Sequence, residues 1–289
     1  MNEALLQLIA CPACRGQLEG ADSHHLRCAQ CSSSYEIREG IPILIPAGLS
    51  EPISSRIDAY EQKHIQEEDP WHYGVRAAEI LKHRFLLEQI RISHPTRGRT
   101  LDVGCSSGYL SLQLGEVASS VISIDVSVSA VMRARTKCSK ATLSHCGRSF
   151  FVATATAFPF RPNIFDVVVL SDGLYEWGLP PDDQQLVLRE CERVLAPSGI
   201  ALFTDYLRPE RFEEWLGVLK SGPLQVTAVH YLHDRPWYQF ESAVHMIQGQ
   251  PWVRAALRSA TFAKALMFVG AALGKRGSKH IVLVAQKHV

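Results

Sequence analysis

Two pairs of cysteines open the chain, Cys11-Pro-Ala-Cys14 and Cys28-Ala-Gln-Cys31, with thirteen residues between them. Each C-x-x-C knuckle turns two thiolates toward one ion, so together they complete a tetrahedral shell for Zn2+. A closed shell leaves no position for a substrate, and the spacing therefore predicts a structural site. Two redox pairs are the alternative, but neither knuckle stands at a strand-to-helix start. A second pattern, Asp102-Val-Gly-Cys-Ser-Ser-Gly108, joins the apolar strand RTLDVG to the helix SGYLSLQLGEV. Gly104 and Gly108 let the backbone pass close to a ligand, and the helix start offers free N–H groups. Asp125 ends the next strand, VISIDV, where a carboxylate can accept both hydroxyls of a ribose.

Those residues need a scaffold, and the chain supplies one in a regular rhythm. After Asp102 come SSVISIDV, VSAVMRARTKCSK, FFVATATAF, FDVVVLS, QQLVLRECERVL, IALFTDYL and HIVLVAQ. Alternating strands and helices predict a parallel α/β sheet with helices on both faces. Residues 1–47 form the cysteine module, closing on YEIREGIPILIP, whose prolines predict an edge strand. Residues 48–57, rich in Ser, Pro and Gly, read as a linker, and 58–289 as a second, larger domain. Its first part, 58–95, reads as two helical pieces broken near Asp69-Pro70.

The 289 residues carry 30 Lys and Arg against 29 Asp and Glu, a balance that gives no basic footprint for nucleic acid. Eight cysteines in a chain this long fit a reduced, cytoplasmic setting better than a disulfide scaffold. LIAC, ending at Cys11, imitates a lipoprotein cleavage site, but MNEALLQ has no positive residue and is too short for a signal core. The apolar stretch 254–274 is interrupted by Arg258 and Lys264, so it reads as a packing or interfacial helix, and no membrane partner is expected.

The turn D-x-G-x-x-x-G, the strand-end Asp125, the stretch ATAFPFRPNIFDVVVLSDGLYEW and RVLAPSGIALFTDY together resemble class I S-adenosylmethionine (SAM) methyltransferases. The resemblance runs from about residue 70 to 207 and implies a Rossmann-like sheet of seven strands. It implies a SAM site on Asp102, Gly104, Cys105, Ser106, Gly108, Asp125, Val126, Thr154, Ala155, Thr156 and Ser171. Two departures stand out. Ser106 replaces the family's central glycine, which a negative φ would tolerate. Thr154-Ala155-Thr156 replaces an acid that usually holds the adenine amino group, leaving a hydroxyl acceptor. EDPWHYGVRAAEILKHRFLLEQI is similar to a segment of the rhizobial nodulation N-methyltransferases, which implies Trp71 and Tyr73 as a lid over the cofactor, with a core anchor as the other role for Trp71. The cysteine module, for its part, resembles the small zinc-ribbon activators of methyltransferases.

The fourth strand ends in LSDGLYEW, at the carboxyl edge where ligands sit in such sheets. Asp172 is the first candidate for acceptor contact or proton removal, with a turn or cap aspartate as its other reading; Tyr175 and Glu176 are second choices. His230, His233 and Trp237 are candidates for an acceptor pocket rather than a second metal. The expected function is methyl transfer from SAM to a small molecule or sugar amine. The alternatives are an RNA or translation-factor methyltransferase and a non-catalytic SAM-fold scaffold. No DNA partner is expected, and the oligomeric state is open.

Overall fold

The structure, a computed structural model, describes residues 3–141, 146–175 and 179–287. After a short helix α1 (Glu3–Leu6), the cysteine module builds strands β1 (Leu18–Gly20), β2 (His25–Cys28), β3 (Ser34–Arg38) and β4 (Ile41–Leu44). Helices α2 (Glu51–Gln66) and α3 (Ala77–Ser93) follow. The alternating part runs β5 (Arg99–Val103), α4 (Tyr109–Leu114), β6 (Ser120–Asp125), α5 (Val128–Ser139), β7 (Gly147–Ala153), β8 (Phe165–Ser171), α6 (Pro181–Val194), β9 (Leu195–Tyr206) and α7 (Phe212–Lys220). Strand β10 (Leu224–Tyr231) then leads to helices α8 (Arg235–Ala243), α9 (Pro251–Arg258) and α10 (Ala260–Ala271), and β11 (His280–Lys287) closes the fold.

The seven strands of the larger part lie in the order β7-β6-β5-β8-β9-β11-β10, parallel except for β11. Period-two alternation divides their side chains between two apolar layers. Leu101, Val103, Ile122, Ile124, Val168 and Leu170 face α6 and α7, while Val121, Val167, Val169, Ile200 and Leu202 face α3 and α4. Strands apolar on both faces are what a helix-covered parallel sheet requires.

The cysteine module is not a separate ball. Ile43 and Leu44 of β4 pair in parallel with Val152 and Ala153 of β7, so β4 lies inside the sheet order, between β3 and β7. This corrects the expectation of an edge strand: the pairing to β7 uses the residues between the two prolines, and Pro42 faces Ile37 of β3 instead. A second seam runs beside it. Ile9 bridges Phe160, the Ala10 N–H donates to the Pro159 carbonyl at 3.0 Å, and the Arg161 N–H donates to Leu8 at 2.9 Å. Ile9, Leu26 and Tyr35 share one core with Phe158, Phe160 and Phe165. Residues 51–57, read as linker, form the first turns of α2, where Pro52 sits in a position that needs no N–H partner.

Candidate active site

The first turn is built on backbone conformations that side chains rarely adopt. Gly104 has φ +74° and Gly108 φ +79°, and a Cβ on Gly108 would lie 2.7 Å from the Cα of Ala134. Ser106, expected at negative φ, stands at +48°. Two contacts hold it there. Its N–H donates to Oδ2 of Asp125 at 2.8 Å, and its hydroxyl lies 3.4 Å from Nε2 of His64. The other oxygen of Asp125 accepts from the Ser127 N–H at 2.9 Å, so one carboxylate ties the two strand-end turns together. Burial raises its pKa.

Asp102 serves the same turn from below. It is buried, accepts a hydrogen bond of 2.5 Å from the Ser111 hydroxyl, and is pushed up to about 7 by burial. It is not on the wall of the cavity, and neither are Cys105, which packs against α5, and Gly108, which starts α4. In this structure these three support the turn that the cavity's floor residues belong to.

The cavity beside this turn has a volume of about 130 Å³. Val103, Gly104, Ser106, Asp125 and Val126 form its floor, Ser171 and Asp172 its far wall. Tyr60 and His64 of α2 cover it, with Trp71 and Tyr73 from the loop that follows. The Ser127 hydroxyl donates to Glu61 at 2.6 Å and that of Ser129 at 2.7 Å, clamping α2 onto the start of α5. Asp69 fixes the loop by accepting from the N–H groups of Tyr73 and Gly74 at 3.0 and 2.8 Å. Thr154, Ala155 and Thr156 line an adjoining cleft with Ile53 and Ile57, joined to the main cavity at Tyr60, Val126, Ala155 and Gly173.

Behind the far wall lies a buried ionic network. Lys82 donates to Asp172 and stands 2.7 Å from Glu79. The Thr204 hydroxyl donates to the other oxygen of Asp172 at 2.7 Å, and His280 Nε2 lies 3.6 Å from it. His280 Nδ1 pairs with Asp234 at 2.5 Å, and the Tyr238 hydroxyl donates to Glu79 at 2.5 Å. Lys82 and His280 hold Asp172 well below the usual carboxylate range despite its burial, and Asp234 lifts His280 to about 10 against the opposing pull of burial. Of the second choices, Tyr175 is drawn away from the cavity: its N–H donates to Asp205 at 2.9 Å and its ring lies under Arg211 at 4.4 Å. Glu176 lies outside the described residues. Trp237 is a core residue, His230 stands edge-on to Phe85, and His233 bonds near Gly274, so none of the three lines the cavity.

At the other end of the chain, the sulfurs of Cys11, Cys14, Cys28 and Cys31 lie within 4.8 Å of one another. Cys11 and Cys31 are 3.7 Å apart, Cys14 and Cys28 3.4 Å. A tetrahedron with Zn–S bonds of about 2.3 Å has edges of roughly 3.8 Å, so the four thiolates fit a zinc ion as they stand.

The sequence model of the methyltransferase domain matches residues 101–203, and that of the Trm112p-like proteins matches residues 2–40. The chain carries a class I SAM-dependent methyltransferase domain behind a zinc ribbon. An uncharacterised methyltransferase of Synechocystis is 29% identical to it over 133 residues, 46% of this chain and 58% of the relative. A UPF0434 protein of Vibrio campbellii is 41% identical over 46 residues, 16% of this chain and 78% of the relative. The chain spans about half the length of the first curated methyltransferases it matches. Among solved structures, the N-methyltransferase NodS of Bradyrhizobium japonicum, in complex with S-adenosylhomocysteine, shares the fold at TM-score 0.55 and 16% identity, covering 81% of this chain and 98% of its own.

The methyltransferase domain suits an adenosyl ligand: open glycine backbone on the floor, Asp125 at the second strand end, and apolar cover from Tyr60 and Trp71. His64 adds a buried Nδ1 that, among the described residues, has no hydrogen-bond partner. Tyr60 and His64 were not anticipated from sequence. Their spacing of four places both on one face of α2, which is the signal that could have found them.

Proposed function

We propose that the protein transfers the methyl group of SAM to a small amine, sugar amines included. The sign of the charge behind the far wall carries this reading. Among the described residues three carboxylates, Glu79, Asp172 and Asp234, meet two cations, Lys82 and His280; four of the five are buried, Asp172 is nearly so, and each is held in its charged form. Asp172 is the carboxylate of this set that reaches the cavity. A net negative cluster favours a sulfonium donor and a cationic acceptor and disfavours an RNA phosphate.

The cofactor supplies an electrophilic methyl carbon, and the chain supplies alignment, worth up to about 7–11 kcal/mol in well-oriented reactions. The floor and lid hold the donor. Asp172 orients the amine; a carboxylate already bonded to Lys82 and Thr204 and held at low pKa is a poor proton acceptor. The amine therefore sheds its proton to water before attack, and the rate climbs with pH up to the amine's own pKa.

The test is transfer of labelled methyl from SAM into an extract fractionated by size. Label in low-molecular-weight amines supports the reading. Label confined to RNA, with affinity falling steeply with salt, overturns the acceptor class. Binding of S-adenosylhomocysteine without label in any fraction overturns catalysis and leaves the scaffold role.

A further inference from the structure

Helix α10 is largely apolar, with Thr261 and Lys264 as its polar positions. Ala263 and Leu266 pack inward with Trp237 of α8 and Ala77 and Ala78 of α3, while Phe268 and Val269 stand outward at 82% and 57% exposure, with Leu273 just beyond the helix at 59%. Large apolar side chains standing together in solvent mark a surface that meets a partner. Trp252, at the start of α9, is 59% exposed, and Met246 in the preceding turn 92%. The same two helices carry Arg254, Arg258 and Lys264, exposed and, among the described residues, in no ion pair. After Glu241 the chain has seven Lys and Arg and no acid.

We propose that the α9–α10 face docks on an anionic lipid surface, with Phe268 and Trp252 at the acyl boundary and the arginines and Lys264 among the headgroups. Exposed aromatic and aliphatic side chains on helices that carry basic residues and no acid are the pattern of a helix lying in the membrane interface. Spanning is not available to it, since no helix among the described residues is long and apolar enough to cross a membrane. A second copy suits the face less well. A two-fold contact between these helices would set their basic residues against one another, with no acid in either helix to answer them.

The placement connects the surface with the lid. Arg76, at the foot of the lid loop, pairs with Glu241 of α8 at 2.7 Å, and α3 begins one residue later. Docking would thus bring the cavity's cover within one helix of the lipid. The inference rests on this geometry alone and is read without turnover, so a failure of the methyl-transfer reading leaves it standing.

The test is cosedimentation of the zinc-loaded full chain with phosphatidylcholine vesicles, with and without phosphatidylglycerol. Binding should require phosphatidylglycerol and weaken with salt. Phe268→Asp with Val269→Asp should lower partitioning by about tenfold or more, and Arg258→Glu with Lys264→Glu by about fivefold for each charge removed. Retained S-adenosylhomocysteine binding would show that the variants are folded. No binding to the anionic vesicles overturns the proposal. So does unchanged binding by the Phe268 variant, and so does a concentration-dependent dimer that Phe268→Asp abolishes while vesicles are ignored.

Discussion

Lys82 and Asp172 form an ion pair with almost no solvent contact, the lysine side chain fully buried and the aspartate nearly so. Glu79 flanks the same ammonium at 2.7 Å, so one cation answers two carboxylates beside the cavity. Such a pair contributes little to net stability, because desolvation offsets most of the attraction; removing one member is what costs.

Lys82→Met removes the cation that Glu79 and Asp172 share, leaving Tyr238 on the one and Thr204 and His280 on the other. Stability measured by urea unfolding should fall by about 3–5 kcal/mol. Adding Asp172→Asn should recover part of that loss, because the second change removes one of the two carboxylate charges. A fall within about 0.5 kcal/mol, as at an ordinary surface site, would mean that water reaches the network.

His280 gives the network a pH signature. Its folded pKa, about 10, lies above the ordinary histidine value, so its contribution is fully present below about pH 6.5 and fades as pH rises toward 10. Asp234, held low, contributes above the ordinary aspartate range and loses its effect in acid. Thermal unfolding scanned from neutral to alkaline pH should show a decline that His280→Gln flattens. An equal decline in the variant would assign it to other groups.

Ser106 spends its positive φ on holding Asp125 and His64. Ser106→Gly should be neutral or stabilising by about 0.5–1 kcal/mol, since glycine accepts the left-handed region freely. Ser106→Val should be destabilising by more than Ser106→Ala, because branching at Cβ worsens the same clash. Calorimetric unfolding distinguishes the three.

The zinc ribbon and the larger sheet share β4 and a common core, so they should melt as one. Chelation of zinc, or Cys14→Ser, should lower the midpoint of a single transition and weaken S-adenosylhomocysteine binding, because the seam at Ile9–Phe160 lies four residues from Thr156. Two separate transitions with unchanged ligand affinity would mean the ribbon is an independent appendage.

Much of this was legible in the chain because it is written in local patterns. The C-x-x-C spacing, the glycine turn with Asp125, and the strand–helix rhythm each depend on neighbours within a few residues. What escaped depends on distant partners or broken periods. Strand β10 was missed because its alternation is interrupted by a bulge between Val226 and Ala228 and its residues are half-buried at the sheet's edge. The edge placement of β4 failed because parallel pairing with β7, over a hundred residues away, leaves no local trace. The network around Asp172 draws on α3, β8, β9 and β11 at once, so no spacing rule could have assembled it.

The cavity under α2 is the centre of the account, and calorimetric titration with S-adenosylhomocysteine tests it most directly. The wild-type chain should bind one equivalent at sub-millimolar concentration, and Asp125→Ala should weaken binding by about tenfold to a hundredfold, the value of one hydrogen bond to a charged acceptor. Asp22→Ala, on the exposed ribbon surface, should bind as wild type. Absence of heat from a folded wild-type chain, or an Asp125→Ala variant that binds equally well, would contradict the assignment of this cavity.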